Sequence, residues 1–206
     1  PDGENLYLVT DRATDTLRLE RLAVESGEFA VVETERRDHT GDEWNVGGLA
    51  VDEDSRRIVY GRNVEGYTEW TAGELVAPDR IDPFPDPDLP RGVSGGVSFG
   101  PDGDRFAVTV TGDTENANVY VVEARSGDAD RWTDAPTAGI PRETFVESEL
   151  VHYPTFDGRE IPAFFALPET DTGSRETPVI VDIHGGPESQ RRPSFNSVKQ
   201  YLLANG

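Results

Sequence analysis

The chain contains no cysteine, which excludes a disulfide framework and any thiol nucleophile. Methionine is also absent, and lysine nearly so: of 19 basic residues only Lys199 is a lysine. No apolar run approaches the roughly 20 residues that cross a bilayer, and no signal-peptide pattern is present. Positive charge is scarce, since 40 Asp and Glu face 19 Lys and Arg, for a formal net charge of −21. A basic footprint for nucleic acid is therefore missing, and phosphate backbones would be repelled. Anionic membrane surfaces are equally poor partners. No loop has EF-hand spacing, so neither a metal nor a cofactor is expected.

Hydrophobic residues make up 35% of the 206 positions and fall in strand-like patterns. That favours a folded protein with an acidic, lysine-poor surface over a disordered chain. Such a surface suits a cytoplasm rich in salt, where screening weakens its self-repulsion. The sequence starts at Pro1 rather than methionine, and the expectation is an internal piece of a longer protein.

Three segments share a turn followed by an apolar run. They are Pro1-Asp2-Gly3-Glu4-Asn5-Leu6, Glu53-Asp54-Ser55-Arg56-Arg57-Ile58 and Pro101-Asp102-Gly103-Asp104-Arg105-Phe106, starting 52 and 48 residues apart. Proline presets the first turn position, and Asp and Gly tolerate the rest. A period of this size built from short strands suits four-stranded propeller blades; a β-sandwich of similar hairpins is the alternative. Gly47-Gly48-Leu49-Ala50-Val51 and Gly95-Gly96-Val97-Ser98-Phe99 each precede such a turn and read as innermost strands. Leu17–Leu22 and Asn118–Glu123 read as further strands. Five prolines among residues 77–90 exclude a central strand or helix and predict a surface loop.

A composition change near residue 143 divides the chain. Residues 1–143 are expected to be propeller blades and 144–206 the start of an α/β domain. Asp157-Gly158 between two strand-like runs, Glu149–Thr155 and Ile161–Leu167, signals a hairpin. A polar loop (169–176) leads to a β-branched strand over Pro178–Ile183. Ser194 is expected to cap a helix with Phe195, Val198 and Leu202 on one face, ending at Gly206.

Between that strand and helix lies His184-Gly185-Gly186-Pro187. Strand, Gly-Gly loop and helix are the arrangement that acyl-transfer enzymes use for one wall of an oxyanion hole. A carbonyl under nucleophilic attack becomes an anion, and each main-chain N–H aimed at it contributes about 3 kcal/mol. Gly185 and Gly186 let the backbone approach without a Cβ in the way.

Residues 145–206 resemble the prolyl oligopeptidase family of serine peptidases, most closely its acylaminoacyl-peptidase branch. The resemblance rests on the strands around Phe156-Asp157-Gly158, on Ile161-Pro162-Ala163, on Val181 through Gln190 with its His-Gly-Gly-Pro-Glu-Ser string, and on a helix closing in Leu202-Leu203-Ala204-Asn205-Gly206. It implies an α/β-hydrolase domain beneath a β-propeller, which agrees with the repeats. It further implies that the amide of Gly186 stabilises the oxyanion, that Gly185 shapes the loop, and that His184 orders the loop rather than acting as general base. The triad's Ser, Asp and His are expected outside this chain, with no nucleophile elbow inside it.

The implied substrate is a short peptide or acyl-peptide, with a homo-oligomer possible. An esterase of the same fold, or a propeller binding module with an inactive hydrolase-like appendage, are the competing functions. Glu188 could meet a substrate amine, though in so acidic a protein it reads first as surface. His39 and His152 read as solvated or packing residues, and Trp44, Trp70 and Trp132 as blade packing.

Overall fold

The computed structural model describes residues 3–12, 14–32, 44–168, 178–186 and 188–205. Three antiparallel meanders follow one another along the chain. The first joins β1 (Asn5–Thr10), β2 (Arg18–Ala23) and β3 (Phe29–Val31). The second joins β4 (Val46–Asp52), β5 (Arg57–Val64), β6 (Tyr67–Ala77) and β7 (Arg80–Pro83), and the third β8 (Val93–Phe99), β9 (Arg105–Thr111), β10 (Asn118–Glu123) and β11 (Ala129–Arg131). Within each sheet, spatial order equals chain order, and β4 lies beside both β1 and β8. This is the propeller-like arrangement that the repeat period predicts.

The two Gly-Gly pairs occupy equivalent places. Register slips between Gly47 and Leu49 in β4, and between Gly95 and Ser98 in β8. At each bulge the second glycine is left-handed, Gly48 at φ 78° and Gly96 at φ 69°, a conformation that any side chain would strain.

β5 explains how the sheets stack. Its side chains alternate between two cores. Ile58 and Tyr60 join Leu19, Val46 and Leu75 between the first and second sheets. Val59 joins Trp70, Phe106, Val108 and Val122 between the second and third. Burial on both faces accounts for the unbroken apolar run Ile58-Val59-Tyr60. At one rim the buried Arg57 donates to Gly103 O and Asp104 Oδ1, both at 2.5 Å, tying two repeat turns together.

Beyond a short 3-10 turn (Arg142–Thr144) come a hairpin, β12 (Glu149–Pro154) and β13 (Glu160–Phe165), and a helix, α1 (Ser197–Asn205). Three details depart from the sequence reading. β7 forms inside the proline-rich stretch, but as the outermost strand of its sheet, where proline is tolerated. The run Pro178–Ile183 forms no strand. Val179, Ile180, Val181 and Ile183 are 65–84% exposed, because β-branched residues need a paired neighbour to hold a strand, and no described segment supplies one. The helix starts at Ser197 and is capped by Asn196, whose Oδ1 accepts from Lys199 N at 3.0 Å. Ser194 stays outside it, as does Phe195, which packs edge-on against Phe145. The expected apolar face is open, with Val198 and Leu202 exposed, and the helix buries Gln200 instead.

The helix docks through polar groups. The Asp113 side chain is only 3% exposed and pairs with Lys199 Nζ; its Oδ2 accepts from Ser148 N at 2.9 Å. Gln200 Nε2 donates to Asp113 O and Val146 O, and Gln200 Oε1 accepts from Val146 N. The chain's only lysine thus serves a largely buried ion pair. Lys199→Met is expected to leave the Asp113 carboxylate buried without its cation. The predicted cost is about 2–3 kcal/mol, below the usual range for a broken buried pair because Lys199 is partly exposed. A urea midpoint that does not move would contradict this.

Candidate functional site

The loop from His184 to Gln190 lies on the edge where the downstream segment meets the blades. Asp182 Oδ1 and Arg191 Nη2 pair at 2.5 Å across its base; both are half-exposed, so the pair fixes geometry more than stability. Gln190 Oε1 accepts from Asn63 Nδ2 at 2.7 Å. Arg192 then reaches into the second sheet, donating from Nε to Gly66 O at 2.8 Å and from Nη2 to Thr68 Oγ1 at 2.9 Å. Burial pulls its pKa below the ordinary value, yet a guanidinium remains charged at any working pH. The hairpin adds two anchors, His152 Nε2 with Glu65 Oε1 at 2.9 Å and Phe164 edge-on to Tyr67.

Between these anchors the loop is bare. His184, Gly185 and Gly186 are exposed. Gly186 is left-handed at φ 70°, and a Cβ added at either glycine would meet nothing within 4 Å. His184 Nδ1 lies 3.5 Å from Gly185 O, the outer limit of a hydrogen bond. Glu188 is exposed, and Pro187 lies outside the described residues, as do His39 and the polar loop 169–176.

Beside this edge opens a cavity of about 470 Å3 lined by Glu65, Tyr67, Glu69, Asp86, Leu89 and Arg91. The Arg91 guanidinium stacks over the Tyr67 ring at 3.7 Å, and burial raises the Tyr67 pKa. Among the described residues no cluster of His, Asp and Glu could hold a metal.

The spelling Gly-x-Ser-x-Gly does occur, contrary to expectation, at Gly92-Val93-Ser94-Gly95-Gly96 and Gly96-Val97-Ser98-Phe99-Gly100. Neither is a nucleophile elbow, which needs a strand turning sharply into a helix. Both lie in or beside β8 of an antiparallel sheet. Ser94 Oγ accepts from Trp70 Nε1 at 2.8 Å, and Ser94 N donates to Thr68 Oγ1. Trp70 is thus the blade-packing residue expected, whereas Trp132 is 65% exposed. The loop-base pair and the Arg192 anchor were not anticipated; opposite charges bracketing a Gly-Gly loop are the one sequence signal that could have suggested the former.

No protein-family model matches the chain, and no curated protein does. Solved structures do match in fold. The dipeptidyl peptidase 4 of Porphyromonas gingivalis aligns over 100% of this chain and 28% of its own, with TM-score 0.74 and 17% identity. A structure from a study of two prolyl endopeptidases aligns over 82% and 24%, with TM-score 0.65 and 15% identity. Prolyl oligopeptidase B from Galerina marginata aligns over 80% and 22%, with TM-score 0.62 and 14% identity. The chain spans about a quarter of the length of each. Its fold is therefore that of a portion of the prolyl peptidases, including their propeller-like part.

Proposed function

We propose that the chain is part of a serine peptidase of the prolyl oligopeptidase family, in which blades over 1–143 cover an α/β-hydrolase domain beginning near 144. The whole enzyme cleaves short peptides or acyl-peptides through an acyl-serine intermediate. Gly186 N–H is one oxyanion donor, Gly185 shapes the loop and His184 orders it. The blade-side cavity forms part of the wall against which the peptide lies. The observation that carries this reading is the pairing of a whole-chain fold likeness to a dipeptidyl peptidase with a left-handed, unobstructed Gly186 in the loop.

In this reading the serine, its base and its aspartate are contributed by further sequence, so the 206 residues alone are inactive. The test compares this chain with a longer polypeptide that includes it. The longer one is expected to react with a fluorophosphonate and to release p-nitroaniline from an acyl-peptide anilide; this chain is expected to do neither. A longer polypeptide inert in both assays would favour a binding module, and serine-dependent turnover by this chain alone would overturn the division of roles.

A further inference from the structure

The Thr68 hydroxyl, on β6, is a three-way junction. Its Oγ1 accepts from Ser94 N at 2.9 Å and donates to Ser94 O at 3.3 Å, which joins the second sheet to β8 of the third. Thr68 N adds a bond to Gly92 O at 2.9 Å along the same seam. The other lone pair of the hydroxyl accepts from Arg192 Nη2 at 2.9 Å. A hydroxyl has one proton and two lone pairs, so all three are in use. Arg192 therefore enters the seam between two blades, where its Nε also donates to Gly66 O at 2.8 Å.

The neighbours of Arg192 extend this link. A Cβ at Gly66, which is left-handed at φ 90°, would lie 3.1 Å from the Phe164 ring and 3.5 Å from Pro193 Cδ, so the segment sits closely on that turn. Phe195 N donates to Thr111 Oγ1 of β9 at 3.2 Å. Residues 192–195 thus straddle the second and third sheets. Arg191 meanwhile pairs with Asp182 across the base of the Gly-Gly loop. Two adjacent arginines connect the blade seam to both ends of that loop. Gly185 and Gly186 are exposed, and a Cβ at either would meet nothing within 4 Å. The placement of their amides is inherited from those ends.

We propose that Arg192 is a positioning residue that transmits the alignment of the second and third sheets to the Gly-Gly loop, and so holds the direction of the Gly186 N–H. The coupling is a property of this chain. Its catalytic consequence rests on the peptidase reading, in which a loop released from the seam keeps its donor and loses its aim.

The test follows the Gly185 and Gly186 amides of this chain by nitrogen-relaxation NMR. Thr68→Val keeps the side chain's shape and removes the acceptor. It is expected to lower the Gly186 order parameter by about 0.2, on a scale where a rigid amide is about 0.85 and a flexible one below about 0.6. Arg192→Met is expected to do the same, and the double variant no more than either, because both cut one link. Thr68→Ser retains the hydroxyl and is expected to match the wild type. The Gly127 amide, in the turn between β10 and β11, should not change in any of them. In a longer polypeptide that carries the triad, Thr68→Val is expected to lower kcat about tenfold with KM little changed. If that polypeptide is inert even as wild type, the peptidase reading falls and the relaxation result still decides the coupling. Order parameters at Gly185 and Gly186 that are equal in the wild type and Thr68→Val overturn the proposal. So does a change in KM alone, which would mean that Thr68, a lining residue of the neighbouring cavity, meets the peptide directly.

Discussion

Phe106→Ala is expected to lower stability by about 3–5 kcal/mol, a large share of what a domain of this size possesses. Phe106 heads the fully buried side chains and is 1% exposed. It sits in β9 at the centre of the cluster that joins the second and third sheets, with Phe99 edge-on at 6.0 Å. Truncation removes the ring's transfer free energy and leaves a cavity walled by two sheets whose backbones are locked by their ladders. Such a site cannot collapse to fill the hole, which puts the cost in the upper range. Phe106→Leu keeps most of the volume and is expected to cost less than half as much. Urea melts should show the midpoint falling with the slope unchanged. A loss under about 1 kcal/mol would mean that the two sheets do not share a core.

On the proposed reading, Gly186→Pro in a longer polypeptide that carries the triad is expected to reduce kcat by about 10²–10³-fold with KM little changed. Proline has no N–H to donate, and its φ is fixed near about −65°, opposite to the observed 70°. Gly186→Ala keeps the N–H and strains the backbone by about 1–2 kcal/mol, so its loss should be smaller. Equal losses in the two variants would mean that backbone geometry, rather than the donor, matters. The loop is exposed and a Cβ at Gly186 touches nothing, so folding should tolerate both changes.

Much of the blade architecture is legible in the sequence because it rests on local chemistry. The repeat turns and the 157–158 hairpin each depend on a few adjacent residues with special backbone preferences, whereas the Gly-Gly pairs, which read only as strand segments, carry the bulges. The double-sided burial of β5 is likewise written in Ile58-Val59-Tyr60. What the sequence misses depends on distant partners. Pro178–Ile183 has strand composition, but composition does not provide a neighbouring ladder. The helix start moved to Ser197 because Phe195 is held by Phe145, 50 residues away in sequence. Lys199 and Gln200 are ordinary surface residue types, and only the fold brings Asp113 and Val146 to them. The same limit explains the Gly-x-Ser-x-Gly spellings, which name a nucleophile in one backbone setting and a strand interior in another.

For the site, the sequence identifies which residues could form the oxyanion loop but not what pins it. The Asp182–Arg191 pair, the Asn63–Gln190 bond and the reach of Arg192 into Gly66 and Thr68 are all products of packing. They give the loop three fixed points between Asp182 and Arg192 while leaving Gly185 and Gly186 uncovered.

The most direct measurement is a crystal structure of the longer polypeptide with a peptide boronate bound to its serine. The account predicts the Gly186 nitrogen at about 2.7–3.1 Å from the boronate oxygen that mimics the oxyanion. A Gly186 amide turned away from that oxygen, with other groups holding it, would contradict the account.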